Sequence, residues 1–92
     1  MKEDKNILLL FVAGKSSTSM RSIINIKAFC EKYLKDKYKL DIIDIYEQPL
    51  KATAENIIAV PVLIKKFPFP EEKMIGDLSD SEMMLNEFYF LK

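Results

Sequence analysis

The chain has 92 residues, of which 49% are apolar and 30% are charged, a balance typical of one globular domain spanning residues 1–92. Fourteen basic residues match fourteen acidic ones, so the positive excess that drives binding to phosphates is missing and no nucleic-acid partner is expected. The apolar run at residues 7–13 is too short to span a bilayer or to act as a secretory signal, which predicts a cytoplasmic protein without a membrane partner.

The first half of the chain predicts a strand, a helix and a second strand. The run at residues 7–13 ends at Gly14 and is typical of a central strand covered on both faces. A loop rich in N-cap residues follows, so a helix is expected to begin near residues 17–18. Apolar residues spaced by three and four continue that helix to about Lys37. Residues 38–46 then alternate apolar and polar side chains, as in a half-buried strand.

Prolines punctuate the second half of the chain. Pro49 suits the first position of a short helix that runs to Asn56. The apolar run at residues 57–66 has two readings. It is either a strand entered through Pro61, because proline cannot donate to a strand ladder and is confined to strand starts, edges and bulges, or a segment whose proline geometry allows more than one arrangement. A turn with two further prolines follows, and residues 71–75 are predicted to form a short last strand.

The C-terminal helix carries the clearest start signal in the chain. Ser79 and Glu82 have the spacing of a capping box, in which each side chain satisfies a backbone donor of the other residue. Leu78 and Met83 are spaced as a hydrophobic staple around that cap. The helix is therefore predicted to begin directly after Ser79.

The predicted order of elements is strand, helix, strand, helix, strand, strand, helix. Because crossover connections in a sheet are right-handed, the first strands are expected to be parallel, and the short turn between the last two strands makes that pair antiparallel. This is an α/β, thioredoxin-like βαβαββα arrangement with a mixed sheet. Val60-Pro61 falls where that fold holds a cis-proline at the start of its third strand.

The sequence lacks the residues of the commonest catalytic and metal sites. It has no histidine and one cysteine, Cys30, so no internal disulfide, no metal and no cofactor is expected. A disulfide oxidoreductase needs a Cys-x-x-Cys pair at the start of its first helix, whereas residues 15–20 contain no cysteine. Cys30 lies well inside that helix, on its apolar side, and is predicted to be a small buried side chain rather than a reactive thiol.

Three further groups of residues are interpreted as structural. The loop at residues 14–17 lacks the second glycine of a phosphate-binding loop and is predicted to be a solvated helix cap. The carboxylate pairs Asp41/Asp44 and Glu71/Glu72 are predicted to be solvated surface. Six aromatic side chains are expected in the core rather than in a base-stacking platform: Tyr46, Phe67, Phe69, Phe88, Tyr89 and Phe90. The chain is therefore predicted to be a binding module with no catalytic residues, not an enzyme.

Five segments, in order and spread over nearly the whole chain, closely resemble the KaiB family of small clock proteins. They are residues 10–14 (LFVAG), 19–21 (SMR), 41–45 (DIIDI, followed by Pro49), 59–63 (AVPVL) and 75–79 (IGDLS). No one segment is decisive, but the set together is specific. The sensor domain of the SasA histidine kinase is the nearest relative of that family.

The resemblance implies a regulatory protein that binds the ATPase ring of a KaiC-type partner. Arg21, at the start of the first helix, and Asn56, at the end of the second, match positions that face KaiC in the family. It also implies two interconverting folds: the thioredoxin-like fold, which binds KaiC, and a ground-state βαββααβ fold with a rearranged second half. Pro61, Pro68 and Pro70 are the implied conformational switch, since X-Pro bonds isomerise slowly. A homo-oligomer, either a dimer or a tetramer, is implied as well.

The chain also departs from the family pattern. Lys39 and Asp41 stand at strand positions that touch KaiA in the family, and the acidic residue there weighs against KaiA as a partner. Phe69 interrupts the usual run of three prolines. Glu87 replaces a helix-weakening glycine, which favours the C-terminal helix and with it the thioredoxin-like fold. Two alternatives stay open: a thioredoxin-like redox enzyme that lacks the dithiol and acts through Cys30, and a stand-alone sensor-type domain that binds a kinase.

Overall fold

The computed structural model describes residues 5–91 as a four-stranded sheet with helices on both faces. In chain order the elements are β1 (Asn6–Val12), α1 (Ser17–Phe29), β2 (Tyr38–Asp44), α2 (Pro49–Ala54), β3 (Val62–Phe67), β4 (Glu72–Ile75) and α3 (Ser81–Glu87). A π-helical segment, Cys30–Leu34, extends α1. None of the helices between residues 5 and 91 has the length and apolar character needed to cross a bilayer.

The sheet has the strand order β2-β1-β3-β4. β1 and β2 pair in parallel, whereas β1 pairs with β3, and β3 with β4, in antiparallel fashion. The predicted thioredoxin-like arrangement with a mixed sheet is therefore confirmed. Of the two folds implied by the family resemblance, this structure shows the first.

β1 lies at the centre of the molecule and is covered on both faces, as its uninterrupted apolar run predicts. Leu8, Leu10 and Val12 point into the larger core, which α1 and α3 cover. Phe11 points to the opposite face, into a smaller core that it forms with Ile43 and two residues of β3. β1 therefore contributes side chains to both cores. Each fully buried side chain of this size contributes about 1.5–3 kcal/mol to folding.

α1 begins where the sequence predicts and ends differently. Ser16 is its N-cap, and the Ser16 side chain accepts a hydrogen bond from the Ser19 backbone N–H at 3.2 Å. The prediction of a regular helix to Lys37 is wrong, because the last turn widens into the π-helical segment and Lys35 enters the left-handed region at φ 52°. The wider turn keeps both Cys30 and Leu34 buried in the larger core.

α3 is present as predicted, but its start is shifted by one residue. Asp80, not Ser79, is the N-cap, and its carboxylate accepts a hydrogen bond from the Met83 backbone N–H at 3.0 Å. A carboxylate is favoured at this position because it also faces the positive end of the helix dipole. The predicted staple of Leu78 with Met83 is wrong as well: Leu78 is buried in the same core as Met84, while Met83 is 47% exposed.

The apolar run before β3 is only partly a strand. β3 begins at Val62, and residues 57–60 form a loop whose Ile57 and Val60 side chains pack on the smaller core. The ladder begins after Pro61 because proline has no N–H to donate. Four of the six aromatic side chains expected in the core are exposed instead: Tyr46, Phe67, Phe69 and Tyr89. The other two, Phe88 and Phe90, are buried as predicted.

The prediction that Glu71 and Glu72 are both solvated surface is wrong for Glu72. Its carboxylate forms an ion pair with Lys65, the residue directly opposite it on β3, and the Lys65 side chain is 0% exposed. Glu71 remains at the surface and pairs with Lys66 at 3.2 Å. The β3–β4 ladder therefore ends, next to its turn, in a charged pair whose lysine is fully buried.

Candidate interaction surface

Four connecting segments meet at one end of the sheet. β1, β2 and β4 run in the same direction and end there, while β3 runs the opposite way and begins there. We call this region the loop end and define it as residues 13–16, 45–48, 57–61 and 76–80. Loops that a rigid sheet holds together in this way are the usual place for binding residues.

Large apolar side chains are exposed at or next to the loop end. Ile58 is 97% exposed and Ile75, the last residue of β4, is 67% exposed. The two line one cleft of about 120 Å³, together with Asn56 and Lys73. Tyr46 and Leu50 are exposed in and just after the neighbouring 45–48 loop. Single exposed apolar residues are ordinary, but a group of them at one end of a fold is typical of an interaction surface.

Arg21 lies at the rim of this surface. It is exposed on α1, and its Nε donates a hydrogen bond to the Asp77 carboxylate at 3.4 Å. Hydrogen bonds from Ser79 lower the pKa of Asp77, and Arg21 adds to that effect. Asn25 donates to the Asp77 carbonyl at 2.8 Å, so two side chains of α1 hold the 76–80 loop in place.

Asn56 is exposed and lines the same cleft as Ile75. Its φ of 55° is in the left-handed region, which asparagine tolerates better than most residues. The preceding residue, Glu55, is held by the β3–β4 hairpin: Lys66 donates to its carboxylate at 3.1 Å and Lys73 to its carbonyl at 3.3 Å. The hydrogen bond to Glu55, followed by one to Glu71, raises the pKa of Lys66.

The two predicted partner-binding residues therefore flank the same short segment. Arg21 reaches Asp77, and Asn56 lines a cleft with Ile75, two residues earlier in the chain. Sequence reasoning assigns Arg21 and Asn56 to separate helices and does not identify the exposed Ile75 near them, because that proximity depends on how β4 pairs.

The three predicted switch prolines lie at opposite ends of the sheet. Pro61 is buried at the loop end, where its carbonyl accepts a hydrogen bond from the Gly76 N–H at 3.0 Å. Pro68 and Pro70 lie in the turn between β3 and β4 at the far end. All three follow cis peptide bonds, and Val60-Pro61 lies where the thioredoxin-like fold holds a cis-proline. The role of these residues as a switch stays a prediction.

Asp44 is a structural residue that the sequence reading missed. It was predicted to be solvated surface, but its carboxylate accepts hydrogen bonds from the Gly14 N–H at 3.2 Å and the Tyr46 N–H at 2.9 Å. Asp44 thus joins the ends of β1 and β2. Aspartate side chains in turns commonly accept a hydrogen bond from the backbone N–H two residues later. An aspartate at the end of a predicted strand, directly before a turn, is therefore the sequence signal for this role.

The structure does not make Cys30 a reactive group. Its side chain is 0% exposed, and burial raises the pKa of the thiol to about 12, with the charge of Glu31 adding to the effect. Attack on a disulfide or a peroxide requires the thiolate, which is scarce at neutral pH. Within residues 5–91 no group of acidic, cysteine or histidine side chains is placed to hold a metal ion.

Comparison with known proteins points to one family. A family model described as the KaiB domain matches residues 9–87. A circadian clock protein KaiB3 from Synechocystis sp. is 40% identical over 85 residues, which cover 92% of this chain and 83% of that protein. A circadian clock oscillator protein KaiB from Prochlorococcus marinus subsp. pastoris is 43% identical over 79 residues, or 86% of this chain and 74% of that protein.

Solved structures share the fold at much lower identity. The N-terminal domain of SasA from Synechococcus elongatus matches with a TM-score of 0.76 and 18% identity, covering 95% of this chain and 82% of that one. The thioredoxin Deadhead from Drosophila melanogaster matches with a TM-score of 0.70 and 19% identity, covering 91% and 78%. At these identities the likeness shows the thioredoxin-like fold alone.

Proposed function

This chain belongs to the KaiB family, and from that premise we propose that it is a non-catalytic regulatory protein that binds a KaiC-type ATPase in the cytoplasm. The observation that supports this best is the exposed apolar surface at and next to the loop end, where Ile58 and Ile75 share a cleft with Asn56. Arg21 binds Asp77, two residues after Ile75. An apolar centre with a charged and an amide side chain at its rim has the anatomy of a protein–protein interface.

Binding rather than catalysis also fits the chemistry of the described residues. Cys30 is the chain's only thiol, and its burial and high pKa leave it protonated. The redox alternative, which depends on that thiol, therefore has no support in the site.

The proposal is tested by measuring binding to the KaiC-type ATPase of the same cell, immobilised with ATP or with ADP. We expect the wild-type protein to bind in one of the nucleotide states, and Ile58→Ser and Ile75→Ser each to weaken binding at least about tenfold, because apolar side chains at the centre of an interface carry most of its energy. Arg21→Ala and Asn56→Ala are expected to have smaller effects, since rim residues remain partly hydrated.

Phe69→Ser is the matched control. Phe69 is 75% exposed, like the two isoleucines, but lies in the turn at the opposite end of the sheet. Its replacement is expected to leave the affinity unchanged. Failure of the wild-type protein to bind in either nucleotide state would contradict the proposal, and equal losses for Phe69→Ser and Ile75→Ser would contradict the choice of surface. Substituting a sensor-type histidine kinase for the ATPase tests the kinase-binding alternative.

We propose further that the second half can adopt the rearranged βαββααβ fold, with Pro61, Pro68 and Pro70 at the switch. The family resemblance supports this, and residues 81–87 are helical in the fold described above. Backbone NMR shifts of residues 79–90 test it, since a population with strand shifts there is expected and its complete absence under all conditions would contradict it. We do not propose KaiA as a partner. A homo-oligomer remains a prediction, which analytical ultracentrifugation tests by measuring the mass of the protein in solution.

A further inference from the structure

The chain after α3 is an extended segment, residues 88–91, which we call the strap. Its side chains alternate as in a strand: Phe88 and Phe90 are buried in the larger core, while Tyr89 is exposed. The Phe90 ring packs against the Phe29 ring of α1, with 5.5 Å between their centroids. The strap thus closes the α1 side of the larger core.

Side chains, not a backbone ladder, hold the strap. The Tyr89 N–H donates to the Glu72 carboxylate at 3.1 Å, and the Tyr89 carbonyl accepts from the Lys65 amine at 2.7 Å. Two residues on, the Leu91 N–H donates to the Asn6 side-chain oxygen at 2.8 Å, and the Leu91 carbonyl accepts from the Asn6 amide nitrogen at 3.0 Å. Within the part of the chain that the structure describes, no backbone–backbone hydrogen bond joins the strap to a strand.

The groups that hold the strap are polar, and two of the three are fully buried. Lys65 and Asn6 are both 0% exposed, and the Glu72 side chain is 23% exposed. Burial alone would raise the pKa of Glu72, but the hydrogen bonds from Lys65 and the Tyr89 amide, with the charge of Lys65, outweigh it and keep the pKa below its ordinary value. An ion pair whose amine is fully buried in this way is stable only while its hydrogen bonds are complete.

Departure of the strap would expose these groups to water rather than leave them unsatisfied inside the protein. The hydration of Lys65, Glu72 and Asn6 then offsets part of the loss of packing around Phe88 and Phe90. A segment attached in this way opens at a lower free energy than one held by a strand ladder with apolar neighbours alone.

From this geometry we propose that the strap opens and closes as one unit while the rest of the domain stays folded, and that Lys65 and Asn6 are the residues that hold it closed. Opening releases two aromatic side chains and uncovers the Phe29 ring that Phe90 packs against. The device does not depend on the proposed ATPase partner, and its test measures no binding.

Residue-resolved amide exchange of the full chain, followed by NMR over a range of urea concentrations below the unfolding transition, tests the proposal. We expect the Tyr89 and Leu91 amides to exchange at least tenfold faster than the slowest β1 amides, with a much weaker dependence on urea, as for a local opening. Exchange of both strap amides at the rate and urea dependence of β1 would overturn the proposal, because they would then open only with the whole domain.

Variants identify what holds the strap. Lys65→Met is expected to speed exchange of both strap amides at least tenfold, whereas the matched control Lys66→Met, one residue along β3 and on the opposite face, leaves them unchanged. Asn6→Ala is expected to speed exchange at Tyr89, although the Asn6 side chain bonds Leu91 and not Tyr89 within the strap. This variant also tests the proposal if Lys65→Met fails to fold. Equal effects of the two lysine variants, or an Asn6→Ala effect confined to Leu91, would overturn the assignment.

Discussion

Substitutions at Met83 and Met84 distinguish the observed start of α3 from the start that the sequence predicts. The capping-box reading makes Met83 the buried partner of Leu78, whereas in the structure Met84 is 0% exposed and Met83 is 47% exposed. Met84→Ala and Met83→Ala remove the same atoms from adjacent positions of the same helix. The pair therefore isolates the effect of burial.

The expected magnitudes differ widely. Replacing a fully buried methionine with alanine costs about 2–5 kcal/mol, through lost transfer free energy and the cavity left behind. For a chain of 92 residues the unfolding entropy is about 0.2 kcal/mol/K, so a loss of about 3 kcal/mol lowers Tm by about 15 °C. Met83→Ala is expected to cost less than about 1 kcal/mol, because half of that side chain is already in water.

Urea unfolding followed by circular dichroism measures both values. The m-value should stay the same in the two variants, so that the midpoints report free energies of unfolding directly. A larger loss for Met83→Ala than for Met84→Ala would refute the helix start at Asp80 and restore the start at Ser79. Equal losses would show that both methionines are buried in solution, against the structure.

Three further predictions concern Asp80, Cys30 and Asp77. Asp80→Ala should cost about 1 kcal/mol in urea unfolding, as loss of an N-cap does, and Ser79→Ala less. Burial raises the pKa of Cys30 from 9.0 to about 12, so the native thiol should resist iodoacetamide at pH 8 while the thiol of the urea-unfolded chain reacts. The free energy of unfolding should fall as pH rises above 9.0, because only the unfolded chain then loses the thiol proton. Rapid alkylation of the native protein would contradict this prediction. Hydrogen bonds from Ser79 and, to a smaller extent, Arg21 lower the pKa of Asp77 below 3.8. The stability that these contacts add to the fold is therefore present above that pH and is lost as pH falls through the lowered pKa. A carboxyl NMR titration should therefore show a smaller rise in the Asp77 pKa for Arg21→Ala than for Ser79→Ala.

The sequence predicts the strands and helices well where one local signal dominates. The uninterrupted apolar run of β1 can be satisfied only by a strand covered on both faces, and Pro49 at the first position of α2 fixes where that helix begins. The start of α3 is shifted by one residue from the capping-box prediction, since Ser79, Asp80 and Ser81 are all acceptable N-caps. The Asp77 carboxylate accepts a hydrogen bond from the Ser79 N–H at 3.1 Å. The sequence patterns of helix starts do not include this contact, which holds Ser79 in the loop before the helix.

The candidate surface was less predictable than the fold. Arg21 and Asn56 came from the family resemblance, while the exposure of Ile58 and Ile75 depends on the position of β4 at the sheet edge. Burial of Lys65 could not be predicted from the sequence either, because it depends on a residue far along the chain. Its acceptor, the Tyr89 carbonyl, is 24 residues away, and periodicity describes only near neighbours along the chain.

The pleat of β3 explains how one strand serves two unrelated segments. Because successive side chains of a strand point to opposite faces, Lys65 reaches the strap on the α1 side, while Lys66 reaches Glu55 at 3.1 Å on the α2 side, directly before Asn56. Removing one amine therefore leaves the other pair in place. Lys66→Met is a sound control for the strap for this reason, and a change at the strap need not disturb the residues around Asn56.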